Sequence, residues 1–342
     1  RLAGSQDMAL ARKAGRPKGW SPKTGWKPGF GPDAQPPVVS EVVALSLPPV
    51  ETSTSEIFPL IAPACKSLTP EQEFRQAMRF YRDKPVEWIE DFTDYVLFDW
   101  QKEALRGLVV KRKLAVKSGH GIGKTVCLAL IICWLEMCHW PIRIAVTAPT
   151  FPQLRILNFP EVKSVIQRCK LAKKFRWQPT EVNAYLGEQI VSSAFARTSR
   201  TKEGAAGFHP PPSFTGDYDD LGIVDEGTIA VLVDEASGVE PDFFETFRGA
   251  KSSGKTFEVY TGNPTKRKGD FFDTFKKPAV AAKWHLMTVS SRNVPHTNRE
   301  FIEEMEDRYG KGSDVVRVRV DGEFPEGDFD ALVPASWLED AR

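Results

Sequence analysis

The stretch Ser118-Gly119-His120-Gly121-Ile122-Gly123-Lys124-Thr125 decides the fold. It follows a short apolar run at 114–116, expected to be a strand, and opens a long apolar run at 125–138, expected to be a helix. Strand, glycine-rich loop and helix in that order are the context in which such a loop binds phosphate. Glycines let backbone N–H groups curl around phosphate oxygens without Cβ clashes, and the helix N-terminus adds positive partial charge. The first loop position, Gly in the usual pattern, is here the small residue Ser118. The loop therefore reads as a cradle for ATP, with Lys124 on the β and γ phosphates and the Thr125 hydroxyl on Mg2+.

On both sides of the loop, strand and helix patterns alternate. Downstream, strands are expected at 142–147, 229–233, 256–261 and 283–289, with a β-rich stretch at 181–196. Helices are expected at 152–169, 241–248, 270–277 and 299–309. Upstream, helices are expected at 71–82, 86–96 and 100–109, the first announced by Thr69-Pro70-Glu71-Gln72-Glu73, a capping hydroxyl followed by Pro and acids. This alternation predicts an α/β fold: a mostly parallel sheet with helices on both faces.

A second motif falls where such a sheet binds ligands, at the carboxyl end of a strand. The apolar run Thr228-Ile229-Ala230-Val231-Leu232-Val233 ends in Asp234-Glu235. Asp234 reads as the magnesium carboxylate and Glu235 as the group that orients and deprotonates the attacking water. Val224-Asp225-Glu226 has the same local pattern, but only two apolar residues precede it and Gly227 follows, so it reads as a solvated loop.

Bulk properties set the limits. The 342 residues carry a net charge of +1, with 41% hydrophobic and 27% charged residues, as in an ordinary globular protein. Charge is uneven: residues 1–40 hold seven basic and two acidic side chains. Residues 1–68, rich in Pro, Gly and Lys, read as a disordered basic tail. Within it, Gly15-Arg16-Pro17-Lys18-Gly19 has the composition of a hook for the DNA minor groove as well as that of a plain solvated tail. The five cysteines form no C-x-x-C pair, which argues for unpaired thiols in a reducing compartment. No apolar run approaches the 18 or so residues of a membrane span, and no membrane partner is expected.

Taken together, the motifs resemble those of the ATPase domain of the large terminase subunit of tailed phages and prophages, the motor that packages DNA. The resemblance runs in order from Phe98 to Pro334. Phe98-Asp99-Trp100-Gln101 looks like the family's adenine-recognising motif, with Gln101 on the base and Trp100 packed nearby. Ala148-Pro149-Thr150 and Ala206-Gly207-Phe208-His209 are similar to further family segments. Asp234-Glu235-Ala236-Ser237-Gly238-Val239 matches the acidic motif. Thr261-Gly262-Asn263-Pro264 looks like the coupling motif, in which Thr261 and Asn263 sense the γ-phosphate. Gly322-Glu323-Phe324-Pro325 and Leu332-Val333-Pro334 resemble the junction to a nuclease domain.

The resemblance implies a domain at 69–325 and a linker at 326–342. Asp328 and Asp330 belong to that linker, so no nuclease activity is expected of this chain alone. It further implies ATP and Mg2+ as ligands, double-stranded DNA as the translocated partner and a homo-oligomeric ring. A capsid portal and a small terminase subunit would be its associates, in the cytoplasm of the bacterial host. Some family members carry an arginine finger within the loop; here His120 holds that position. The finger must then come from elsewhere, with Arg197 and Arg200 as the first candidates and Arg267 and Arg292 behind them. Lys266, Arg267 and Lys268 are candidates for DNA-phosphate contact. Two other classes compete: a helicase-like or defence-related DNA-dependent ATPase, which predicts a second motor domain, and a DNA-tethering protein on an inactive fold, which intact Lys124, Thr125, Asp234 and Glu235 oppose.

Overall fold

The computed structural model describes residues 69–197, 208–212, 226–250 and 255–327. The basic tail, Arg200, Gly207, the Asp225 of the second acidic pair, Asp328, Asp330 and the 332–334 motif lie outside these residues. The strands are β1 (Lys113–Ser118), β2 (Ile142–Thr147), β3 (Phe175–Gln178), β4 (Glu181–Leu186), β5 (Gln189–Ala196), β6 (Thr228–Val233), β7 (Lys255–Gly262) and β8 (His285–Val289). They form one sheet in the order β3-β4-β5-β2-β6-β7-β1-β8. Every neighbouring pair from β5 to β8 is parallel, while β3 and β4 extend the sheet as antiparallel strands. The expected β-rich stretch is thus a three-stranded meander whose first strand begins earlier, at Phe175.

The helices are α1 (Pro70–Phe80), α2 (Pro85–Phe92), α3 (Asp99–Lys111), α4 (Lys124–Cys138), α5 (Phe159–Gln167), α6 (Pro241–Ala250), α7 (Asp270–Lys276), α8 (Pro278–Ala281) and α9 (Arg299–Tyr309). A short helix at Phe151–Gln153 and a wide turn at Leu154–Asn158 lead directly into α5. A similar pair, Asp314–Val316 and Arg317–Asp321, follows α9 and was not expected from the sequence. The N-terminus of α1 is a reciprocal capping box: Gln72 N–H donates to Thr69 Oγ1 and Thr69 N–H donates to Gln72 Oε1. Helix α2 stops earlier than expected because the Thr93 hydroxyl donates to the Ile89 carbonyl at 2.6 Å while its backbone turns extended.

Strand periodicity builds two cores on opposite faces of the sheet. Ala230 and Leu232 of β6 join Leu114, Val116, Ile144 and Val146 beneath α1 to α5. Ile229, Val231 and Val233 join Ala115, Ala145 and Tyr260 against Phe243, Phe244 and Phe247 of α6 and Phe271 of α7. Helix α4 is buried on all sides from Cys127 to Cys138, as befits an apolar helix between a sheet and an outer helical layer. Among the described residues, no helix is long and apolar enough to cross a membrane.

One carboxyl group sits inside that apolar helix. Glu136 is fully buried with neither carboxyl oxygen hydrogen-bonded, and burial pushes its pKa well above the ordinary value of 4.5. A carboxyl whose folded pKa lies above its unfolded pKa loses stability as pH rises past the unfolded value, by about 1.4 kcal/mol per pH unit until the folded pKa is reached. Glu136→Gln lacks that penalty. Its advantage in urea unfolding midpoint over the native chain is expected to widen between about pH 5 and about pH 7; a constant difference would show that Glu136 titrates as an exposed glutamate does.

Candidate nucleotide site

The sheet order brings the motifs together. Strand β7 lies between β6 and β1, with Val233 opposite Tyr260 and Lys117 opposite Gly262. The loop after β1, the acidic pair after β6 and Asn263 after β7 therefore meet at one edge of the sheet. Gly121 and Gly123 take positive φ angles of 72° and 89°, the left-handed region in which a side chain would be strained.

Asn263 links the three motifs. Its Nδ2 donates to the Ser118 carbonyl at 2.6 Å, its Oδ1 accepts from Lys124 Nζ at 3.3 Å, and its backbone N–H donates to Glu235 Oε2 at 3.2 Å. Lys124 Nζ also donates to Ser118 Oγ at 3.2 Å and the Gly119 carbonyl at 3.3 Å, and stands 3.7 Å from Glu235 Oε1. Lys124 and Asn263 are both buried. Asn263 can approach because its predecessor lacks a Cβ: one at Gly262 would stand 2.9 Å from Ala236 N and 3.1 Å from Glu235 Cα. Glu235 itself holds the left-handed conformation, φ 49°, a backbone state that costs free energy in a non-glycine residue and is retained where its surroundings enforce it.

The two carboxylates differ in their surroundings. Asp234 is buried. Its Oδ1 accepts from Thr261 Oγ1 at 3.0 Å and from Glu235 N–H at 3.1 Å, and its Oδ2 accepts from Asn158 Nδ2 at 2.7 Å. Glu235 is partly open. Burial raises its pKa, Lys124 and the Asn263 N–H pull it back, and Asp234 adds to the rise. Thr125, half-buried in the first turn of α4, carries the second expected oxygen ligand. Among the described residues no cluster of three or more His, Cys, Asp or Glu exists.

The remaining predicted residues are placed less uniformly. Gln101 is buried and its Oε1 accepts from Phe98 N–H at 3.0 Å, so the oxygen caps α3. Its Nε2 faces the loop, 3.6 Å from where a Cβ on Gly123 would stand. Trp100 packs against the larger core, with its indole nitrogen buried and unpartnered. Ile122 is buried in the same core and anchors the loop tip. The His120 ring faces the cavity beside the loop, and partial desolvation, Lys124 and Arg319 all lower its pKa from the ordinary imidazole value. The Arg197 backbone pairs with β2, and its guanidinium lies 4.8 Å from the centre of the Phe195 ring. Arg292 is committed to ion pairs with Asp321 and Glu306, each at 2.7 Å. Arg267 donates to the Glu326 carbonyl, and Lys266 to Lys268 are exposed.

Two contributors were not assigned to the site from the sequence: Asn158, and the segment after α9. His120 N–H donates to the Arg319 carbonyl at 2.7 Å, Ser291 Oγ donates to the His120 carbonyl at 2.7 Å, and Lys117 pairs with Glu323. Gly322, at φ 70°, lies so close to β1 that a Cβ there would stand 2.5 Å from Ser118 Cα. The Gly-Glu-Phe-Pro sequence at 322–325 was the one hint of this wall. Beside the loop, His120, Gly121, His296, Thr297, Asn298 and Phe301 line a cavity of about 250 Å3.

No protein-family model matches the chain, and no curated protein matches it significantly. Solved structures do share its fold, an α/β domain built on a mostly parallel sheet. The large terminase of a thermophilic bacteriophage superposes over 68% of this chain with a TM-score of 0.50 at 12% identity. The same protein in complex with ADP gives 67% and a TM-score of 0.51 at 12% identity. A mutant of the large terminase ATPase domain of Thermus phage P74-26 covers 70% with a TM-score of 0.50 at 15% identity. This chain spans 54% of the first structure and 98% of the last.

Gly322→Ala tests the wall directly. Left-handed strain and overpacking against Ser118 are expected to cost about 2–4 kcal/mol together, and ADP affinity is expected to fall because the loop is displaced. Unchanged unfolding and binding would show that 317–323 does not support the loop.

Proposed function

We propose that this chain is the ATPase portion of a phage large terminase, coupling ATP hydrolysis to translocation of double-stranded DNA into a capsid. The observation that carries the reading is the joining of Lys124, Glu235 and Asn263 at one sheet edge, within a fold shared with large-terminase ATPase domains. Lys124 and the N–H groups of 121–125 would bind the phosphates of ATP, and Gln101 Nε2 would face the base. Thr125 and Asp234 would hold Mg2+, whose charge offsets that of the phosphates. Glu235 would take the proton of the attacking water. Asn263, bonded at once to Lys124, Ser118 and Glu235, would register the presence of the γ-phosphate, and Thr261 would orient Asp234.

The neutral His120 leaves the finger to another residue. Arg197 and Arg200, on the segment after β5, are proposed to complete the site of a neighbouring subunit in a homo-oligomeric ring. Lys266 to Lys268 and the basic tail would contact DNA phosphates without reading sequence. A capsid portal and a small terminase subunit would be the partners, and the setting the cytoplasm of the bacterial host.

Phosphate release by the purified chain tests the site. Lys124→Ala and Glu235→Gln are each expected to lower the rate by about 100-fold or more, with Glu235→Gln retaining ADP binding; activity that survives Lys124→Ala would sink the assignment. Because Glu235 must be ionised and its pKa is raised, the rate is expected to fall on acidification at a pH above the ordinary carboxylate range. Acceleration by double-stranded DNA or a portal is expected, and a rate indifferent to both would count against packaging. Mixing Arg200→Ala subunits with native ones should depress the rate more than in proportion; strict proportionality would remove Arg200 as a finger acting in trans.

A further inference from the structure

Asn158 lies outside every motif read from the sequence, yet its side-chain amide is buried against Asp234. Donors occupy both oxygens of that carboxylate: Thr261 Oγ1 and Glu235 N–H on Oδ1, and Asn158 Nδ2 on Oδ2. Three fixed donors on two oxygens leave the group one orientation. The other end of the same amide, Asn158 Oδ1, is sealed from solvent and has no hydrogen-bond partner. A buried acceptor left unpaired costs free energy, so its retention beside a ligand site calls for a reason.

The local backbone favours this placement. In the wide turn Leu154–Asn158, Phe159 N–H bonds back to the Leu154 carbonyl, five residues away instead of four. Turns of this kind inside helices concentrate at functional sites. Here the turn brings Leu154, Asn158 and Phe159 inward together and leaves Arg155, Ile156 and Leu157 facing solvent. Leu154 and Phe159 join the core. Asn158 does not; it reaches the end of β6.

We infer that Asn158 is a positioning residue for divalent-cation binding, acting through Asp234. Its N–H fixes the carboxylate in the orientation that Thr261 and the Glu235 N–H complete. Partners one step removed from a metal typically change its affinity 10- to 100-fold when lost, by releasing the ligand they orient. The inference rests on the assignment of Asp234 to the cation proposed above.

The test is ADP binding by the full chain, measured by calorimetry in the absence of Mg2+ and across a Mg2+ titration. Asn158→Ala is expected to raise the Mg2+ concentration for half-maximal enhancement about 10-fold or more while changing metal-free ADP affinity less than about twofold. Asn158→Leu keeps the volume without the donor, so it guards against a cavity, and is expected to shift the Mg2+ half-saturation as Asn158→Ala does. A native Mg2+ response in Asn158→Ala or in Asn158→Leu, or an equal loss of metal-free and Mg2+-bound affinity, overturns the inference. Asp234→Ala separates the two layers. If it keeps the native Mg2+ response, the underlying assignment fails and takes this one with it. If it loses that response while Asn158→Ala does not, Asn158 alone is excluded.

Discussion

The side chain of Asn263 holds together a site that the sheet topology would otherwise separate. Strand β7 is inserted between β6 and β1, which puts the ends of the two motif-bearing strands roughly 9–10 Å apart. Lys124, at the start of α4, and Glu235, after β6, cross that gap with their side chains, which stand 3.7 Å apart. Asn263 sits at the end of the intervening strand and bonds to both sides, through its amide to Ser118 and Lys124 and through its backbone to Glu235. The requirement propagates into the neighbouring sequence. Gly262 must lack a side chain for β7 to pass the Glu235–Ala236 backbone, and Glu235 must turn left-handed to meet it.

The same network sets the basicity of Glu235. In the free chain Lys124 is the strongest influence pulling its pKa down against the larger effect of burial. An anion that drew Lys124 away would remove that influence, and its own negative charge would oppose ionisation of the carboxylate further. Glu235 would become a stronger base when phosphates are bound. A buried lysine shared between carboxylate, amide and loop carbonyl is thus suited to report occupancy of the site to the group expected to act on water.

The parts legible in the sequence were those written in short local patterns. Residues 118–125 lie between a strand and a helix, and 228–235 end an apolar run in two acids, so a linear reading places both. What escaped depended on tertiary approach. Asn158 is one of several polar residues in a helical run, and the wide turn that aims it leaves no compositional mark. Gln101 was legible as a residue near the site, but its position three residues into α3 also suits a helix cap, and the backbone took its oxygen. Strand β3 was missed because four residues after two lysines give too little alternation to count; it forms because β4 offers it an edge.

The segment after α9 shows why the boundary of a nucleotide domain is hard to place from motifs. Sequence similarity marks 322–325 as a junction, yet these residues form part of the site's wall. Gly322 lies against Ser118, Glu323 pairs with Lys117, and Phe324 packs among Phe271, Phe272 and Phe275 in the second core. Arg292, bridging Asp321 and Glu306, ties the same segment to α9. The Arg292 pairs are partly exposed and individually weak, so the packing of Phe324 and the close approach of Gly322 carry most of the attachment. A displacement of residues 322–325 would therefore be felt at Lys117 and Ser118, through packed backbone.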